Sequence, residues 1–257
     1  MKNESQCAVT SLPGCDPVKN QLVQPFPVEP PLSDNLDLSL DTLLGRVGKP
    51  TAAAYSYIVR TVTWDEESFV QKGSAPNFQG GVLTLCTCKH QMRAGRDAPA
   101  WIGSWLVGFT SRTLLEDQHW LFFLAKIDFA FASHADLWEH LPAKAQRAKA
   151  AHRNFLGDVF EPMTPLTTLD GRYDPSSYRA PDEQKHSHSH ESNPIGWHND
   201  INYASTRKKR HPSLLLADPK LTFMWTRPSI ALQSAHCRDY SKQSLTQLLA
   251  KLREQRS

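Results

Sequence analysis

The residue types most able to do chemistry in this sequence gather in two places. The first is Cys88-Lys89 with Arg93 four residues further on. A cation beside a thiol favours the thiolate, and a Lys and Arg pair at a strand end grips a phosphate or a base edge. The trio suits nucleophilic catalysis or plain ligand binding; the blander alternative is a buried small thiol beside two solvated cations. Binding asks only for charge and geometry, whereas covalent catalysis also needs a base within hydrogen-bond reach. Lys89 and Arg93 therefore carry more weight than Cys88. The second place is His186-Ser-His188-Ser-His190, followed by His198 and Asp200 beside Trp197 and Tyr203. Imidazoles with a carboxylate move protons near neutral pH or bind a transition metal. The alternating repeat also has the look of a low-complexity surface loop, so His198 and Asp200 are its more specific members, together forming a candidate general base.

Other motifs say less. Cys86-Thr-Cys88-Lys-His90 alternates, so on a strand all three potential ligands would share one side and begin a zinc site. No second ligand pair at standard spacing and no CxxC accompany it, so no metal is expected, and no cofactor is assigned. Arg207-Lys-Lys-Arg210-His211 suits contact with a phosphate backbone or is simply solvated. Tyr55, Tyr57, Trp101, Trp105 and Trp197 could each stack a base, worth about 1–3 kcal/mol where it occurs, although most such rings serve a core. Gly80-Gly81 is too short for a phosphate loop, and neither a Walker sequence nor GxGxxG is present, which excludes an ordinary nucleotide hydrolase and a Rossmann oxidoreductase.

The elements that must position these residues read as follows. Tyr55 to Trp64 is rich in aromatic and β-branched residues and predicts a strand. A glycine-bounded loop, Gly73 to Gly81, leads into a second strand, Val82 to Lys89. Trp101 to Thr110 and Trp120 to Phe131 predict two more, the latter passing from a continuous apolar run to alternation, as a strand does on leaving a core. Ala135 to His152 reads as helical, with Pro142 starting a second helix. Residues 161–210 turn to Pro, Asp, Ser, His and Asn and predict a long loop, with Leu214 to Ala217 and Leu221 to Trp225 as closing strands. At the C-terminus, Leu245, Leu248, Leu249 and Leu252 stand at the spacing of an amphipathic helix. Residues 1–50 hold clustered prolines and one amphipathic run, Leu36 to Leu44, and otherwise read as a disordered arm. The sum is α+β: a mixed, mostly antiparallel curved sheet with inserted helices, compatible with a barrel of the PUA or EVE type.

With 257 residues, 40% of them hydrophobic, the chain is long enough for a real core. Five cysteines form an odd, sparse set that does not read as a secreted disulfide framework. No apolar stretch approaches the roughly 20 residues of a spanning helix, and the N-terminus lacks the apolar segment of a secretory signal. The expectation is a cytoplasmic protein with no membrane partner. A formal charge of +3 permits contact with phosphates without demonstrating it.

The order of motifs resembles the nucleotide modification associated domain 2 family, found in phages and bacteria beside DNA-modifying systems. Tyr55-Ser-Tyr57, then Ala75-Pro76-Asn77-Phe78 with Gly81, then Thr84-Leu85, Cys88-Lys89 and Arg93 are similar to the family's signature. Gly103-Ser-Trp-Leu-Val-Gly108, the strand at Trp120 to Phe131, Gly157-Asp158 and the histidine loop before Leu214 continue the likeness over about two thirds of the chain. Ser104 stands where the family usually has an aspartate, Phe78 where a proline is common and Val159 where an asparagine is usual, so no role for that aspartate carries over. The resemblance implies one domain over residues 51–230 that binds a nucleotide or a nucleic-acid base and takes part in DNA base modification or recognition of modified DNA. The expected pocket joins Tyr57, Asn77, Lys89, Arg93 and His198. Two alternatives stand beside it: an enzyme acting directly on the base, with His198 and Asp200 as general base and Cys88 as nucleophile, and a non-catalytic scaffold whose arm and C-terminal helix recruit protein partners.

Overall fold

A computed structural model describes residues 24–27, 29–48, 51–73, 75–154, 157–182, 196–233 and 240–255. The chain opens with β1 (Gln24–Pro25), a 3-10 turn (Leu32–Asn35) and α1 (Leu40–Val47). Next come β2 (Ala53–Val59), β3 (Val62–Trp64), β4 (Phe69–Gln71), β5 (Thr84–Leu85) and the single-turn α2 (His90–Arg93). They are followed by β6 (Trp105–Thr110), β7 (Leu121–Phe131), α3 (His134–His140), α4 (Ala143–Ala151), α5 (Leu169–Arg172) and α6 (Gly196–Asn202). Finally come β8 (Leu214–Met224), β9 (Ile230–Leu232), β10 (Tyr240–Ser244), α7 (Leu245–Leu249) and β11 (Leu252–Glu254).

Six strands make the main sheet in the order β10-β2-β6-β7-β8-β5, in which only the β2–β6 pair is parallel. The sheet curls into a half-barrel, so the mixed, mostly antiparallel architecture expected from the apolar runs is the one observed. Along β2 the side chains alternate: Tyr55, Tyr57 and Val59 pack into one core cluster, Ala54 and Ile58 into another. Burial on both faces is why β2, β6 and the first half of β7 are apolar with little polar interruption. Gly108 lets the Phe123 ring cross β6, since a Cβ there would lie 2.2 Å from Phe123 Cε1. Pro142 directly precedes α4, as its position predicts.

Several expectations are corrected. The Tyr55 to Trp64 run is two strands in two sheets, because the chain turns at Arg60-Thr61, where Thr61 Oγ1 donates to Ala75 O at 2.6 Å. β3 then pairs with β4 instead of extending β2, in a small sheet that β1 completes. The two closing strands are one, β8, which keeps pairing with β7 while residues 218–221 bulge out between Ala217 opposite Ile127 and Thr222 opposite Ala125. The expected long loop contains α6, whose Trp197 and Ile201, one turn apart, are buried against Phe160, Ala135 and Tyr178.

The boundary near residue 50 does not hold for residues 24–48. Phe26 packs on the rings of Phe78 and Phe122, with centroids 5.7 and 4.8 Å away, and Leu32 and Leu43 are buried. Residues 1–23 lie outside the described chain. Nor is the C-terminus a long amphipathic helix. Only five residues are helical, opened by a capping box at Ser244 and Gln247, and β10 and β11 on either side pair with β2 and β9. The leucine stripe is buried nonetheless: Leu245, Leu248, Leu249 and Leu252 cover the second face of the sheet. No helix among the described residues is long and apolar enough to cross a membrane.

Candidate functional site

The predicted strand Val82 to Lys89 keeps only Thr84 and Leu85 in the sheet, and side chains account for the loss. Asp158 Oδ1 accepts from the amides of Cys86 and Thr87 and from Thr87 Oγ1, each at 3.0 Å. Arg93 donates from Nε to Cys88 O and from Nη1 to Ser213 O, both at 2.7 Å, and from Nη2 to Cys86 O. Backbone groups that would otherwise seek a neighbouring strand are thus satisfied, and the segment peels away from β8. It turns at Lys89, whose φ of 56° and ψ of 38° are left-handed, a conformation costing about 1–2 kcal/mol for a residue with a Cβ. α2 begins there.

Between the peeled segment and the end of β2 lies a concavity of about 230 Å³, lined by Tyr57, Val59, Arg60, Ala75, Cys88, Lys89, His90 and their chain neighbours. Two cations and a histidine line it, with no carboxylate among the lining residues. Lys89 Nζ sits 5.5 Å from the centroid of the Tyr57 ring. The Cys88 thiol points at Ala75 O, 3.9 Å away. Tyr57 is only 1% exposed. Its hydroxyl has no hydrogen-bond partner among the described residues, and burial, then the nearby Cys88 and Asp158, push its ionisation well above the ordinary phenol range.

His90 is the residue that joins this concavity to a buried carboxylate. Its Nε2 is 3.2 Å from Asp200 Oδ1, whose side chain is fully buried, and its ring stacks on Tyr203 at 4.7 Å and 17°. α6 delivers Asp200 and is pinned by His134, which donates from Nε2 to Asp200 O at 3.2 Å and accepts the Phe160 amide at Nδ1. Burial lowers the His134 pKa to about 4, so the ring is neutral and fits this one-donor, one-acceptor role. Tyr203 accepts from Gln91 Nε2, and Ser205 Oγ donates to Gln91 Oε1. The turn bearing exposed Arg207, Lys208 and Lys209 is therefore tied to α2, the helix that carries His90.

Behind the peeled segment is a buried polar cluster. Lys149 of α4 donates to Asn77 Oδ1 at 2.7 Å, to Thr84 Oγ1 at 2.9 Å and to Val82 O at 3.3 Å. Burial lowers its pKa to about 8, opposed by Asp158. The Asp158 carboxyl is raised by burial, opposed first by Lys149 and then by its hydrogen bonds. α4 approaches this closely because residue 80 is glycine: at φ +80° a Cβ there would meet Ala145 Cα at 2.6 Å.

Of the predicted site, Tyr57, Cys88 and Lys89 come together at the concavity; the other members do not. Arg93 is completely buried with its donors on carbonyls, so it does not share a ligand with Lys89. Asn77 is buried too, accepting from Lys149 and from the Gln79 amide. His198 and Asp200 are two residues apart on α6, which turns their side chains about 200° from one another; Asp200 faces His90, and His198 packs edge-on against Trp197. Tyr55, Trp101, Trp105 and Trp197 are core residues. Cys86 and Cys88 enter different core clusters, so the alternating Cys-Cys-His pattern does not share a side. No group of three His, Cys, Asp or Glu residues among the described ones could hold a metal. His186, His188, His190, Cys7, Cys15 and Cys237 lie outside the described residues.

Sequence reasoning missed Arg60, Lys149 and the pairing of His90 with Asp200, although His90 and Tyr203 each stood in a motif of their own; Lys149 left a trace only in sharing a helix face with small Ala145 four residues earlier. Comparison of the chain with protein-family models, curated proteins and solved structures returns no match.

Proposed function

We propose that this domain binds a nucleotide or a nucleic-acid base in the concavity at the end of β2, and that it takes part in DNA base modification or in recognising modified DNA in the cytoplasm. The observation that carries the reading is Lys89: a residue with a Cβ held in a left-handed backbone conformation, its ammonium on the Tyr57 ring and beside Arg60 and His90. Strain of this kind persists where a side chain is needed in place, and cations around a concavity with no carboxylate among its described lining residues suit a phosphate. At about 230 Å³ the space is below the roughly 300 Å³ at which drug-sized sites begin, which suits one base or one phosphate group. The exposed cations beside α2 suit the backbone of a longer nucleic acid. The motif resemblance and the curled sheet, which we read as PUA- or EVE-like, point the same way.

Calorimetric titration with nucleoside monophosphates and a short DNA duplex tests the reading. Charge-assisted hydrogen bonds contribute roughly 1.5–3 kcal/mol, so Lys89→Met is expected to weaken binding about tenfold or more without loss of fold. Absence of binding by the parent, or equal binding by the variant, would refute it.

A second reading, an enzyme acting on the base itself, is favoured by His90 against buried Asp200, a pairing suited to general acid–base work. Mass spectrometry of nucleotides and DNA incubated with the parent and with Asp200→Asn separates the two. Product formation lost in a variant that still binds favours the enzyme; no product from the parent favours the reader.

A further inference from the structure

The basic run from Arg207 to His211 divides into two kinds of residue. Arg210 and His211 hold the run in place: the Arg210 guanidinium pairs with Asp97, and the His211 ring stacks on Tyr173 at 3.6 Å while its Nδ1 donates to Tyr203 O at 2.8 Å. Arg207, Lys208 and Lys209 are exposed and make no ion pair among the described residues. They sit on a closed turn, in which the Ser205 amide donates to Arg210 O at 2.9 Å, the Lys209 amide to Ser205 O at 2.6 Å and the Lys208 amide to Ser205 Oγ at 3.2 Å. Lys209 is left-handed at φ 52°, which costs about 1–2 kcal/mol for a residue with a Cβ. A run of charge that serves only solubility needs no fixed shape, whereas cations on an ordered turn lose less freedom on binding. The turn is also fastened to the concavity. His90 lines that concavity and stacks on Tyr203, and the next residue, Gln91, donates to the Tyr203 hydroxyl and accepts from Ser205 Oγ at 3.3 Å. The single turn α2 thus carries a wall of the concavity on one residue and the foot of the basic turn on the next.

We infer that the ligand is single-stranded DNA, of which one nucleotide occupies the concavity at Lys89 while phosphates of its neighbours on the same strand lie against Arg207, Lys208 and Lys209. The inference rests on the reading of the concavity as a nucleotide pocket and adds that the ligand is a polymer and in what form it binds. A base in a duplex is paired and stacked and must leave the helix to enter a concavity, whereas a single strand presents every base. A free mononucleotide with its phosphate at Lys89 would leave the three cations of the turn without a counter-charge; a strand supplies one at each step.

The test is the triple variant Arg207→Gln, Lys208→Gln, Lys209→Gln, compared with the parent by calorimetry across a range of salt. The probes are thymidine monophosphate, an oligodeoxythymidylate of about twelve nucleotides, within the roughly 4–16 that a single-strand-binding domain covers, the matching RNA oligomer and a DNA duplex. Each single-strand phosphate neutralised contributes about 0.7 to the slope of log affinity against log salt, so the variant's slope for the DNA oligomer should be flatter by about 2. Between about 50 and 200 mM salt the parent should then lose roughly twentyfold more affinity than the variant. The two should bind thymidine monophosphate alike, and the parent should bind the DNA oligomer more tightly than the mononucleotide, the duplex or the RNA. Neutralising Lys220, Lys251 and Arg253, exposed cations on other elements, removes the same charge and should leave the slope as it was; an equal flattening would reduce the effect to net charge and overturn the inference. Tighter binding of the duplex or of the RNA would overturn it too. Should the parent bind thymidine monophosphate in a Lys89-dependent way while the oligomer binds no better, or while the triple variant keeps the parent's slope, this inference alone fails; should the parent bind neither mononucleotide nor oligomer, the reading of the pocket fails with it.

Discussion

Lys149 should make the stability of this protein rise with pH in a range where most proteins gain nothing. Its ammonium is buried and hydrogen-bonded to Asn77, Thr84 and Val82 O, and burial lowers its pKa from 10.5 to about 8. Below pH 8 the side chain is protonated in the folded and unfolded states alike, and folding bears the full cost of burying the charge. Between 8 and 10.5 the unfolded chain holds the proton while the folded one has released it, so stability climbs with pH. At about 1.36 kcal/mol per pH unit, the difference between 10.5 and about 8 is on the order of 3 kcal/mol, or roughly 6–12 °C in melting temperature for a domain this size. Guanidinium denaturation of the parent and of Lys149→Met at pH 7, 8, 9 and 10 isolates the effect, since nearly all other titrating groups are common to both. At pH 7 the variant should be less stable by about 3–5 kcal/mol, because Asp158 loses the nearest cation that offsets its burial. The gap should then widen as pH rises, since the parent gains stability by releasing a proton and the methionine side chain of the variant has none to release. A gap that stays constant from pH 8 to 10 would refute the account of Lys149.

Two further predictions concern the framework of the site. Arg93→Met should cost stability rather than ligand affinity, by more than about 3 kcal/mol, because it strips donors from the buried carbonyls of Cys86, Cys88 and Ser213; Arg93→Lys should not rescue it, since an ammonium lacks the fork that reaches all three, and thermal melts of both variants check this. Gly80→Ala should destabilise by at least about 1–2 kcal/mol for its left-handed backbone alone, with an added cost from the Ala145 contact 2.6 Å from the new Cβ, and a melt within a degree of the parent's would show that α4 yields freely.

Strands β2, β6 and β7 were legible because their burial is local information, carried in apolar runs that need no partner to be recognised. The failures share one cause: a backbone decision made by a side chain far away in sequence. Nothing in Arg60-Thr61 marks a turn; the turn closes on Ala75 O. Nothing in Cys86-Thr-Cys88 marks the end of a strand; Asp158, about seventy residues on, takes the amides that would have continued it. For the same reason Cys88 and Lys89 were recognisable as a motif while Arg93, equally prominent beside them, turned out to be the brace that holds the motif in place. Charge and proximity in sequence do not say whether a guanidinium faces solvent or carbonyls.

That brace also explains why a concavity exists at this point of the half-barrel. If β5 ran on to Lys89 beside β8, its last residues would stay in the sheet and their backbone groups would be spent on the ladder. Asp158 and Arg93 instead satisfy the amides of Cys86 and Thr87 and the carbonyls of Cys86 and Cys88, which frees the segment to cross toward β2. Lys89 then adopts its left-handed turn, and the new helix start brings His90 over Asp200. Asp158 and Arg93 therefore act through the backbone, and the course they give it brings Lys89, Arg60 and His90 to the lining of the concavity. Substitutions at Asp158 should accordingly alter stability and every pocket contact together, whereas substitutions at Lys89 should alter binding and leave the fold standing. An Asp158→Asn variant that melts like the parent and binds like it would separate the pocket from the brace and undo this account of how the site is built.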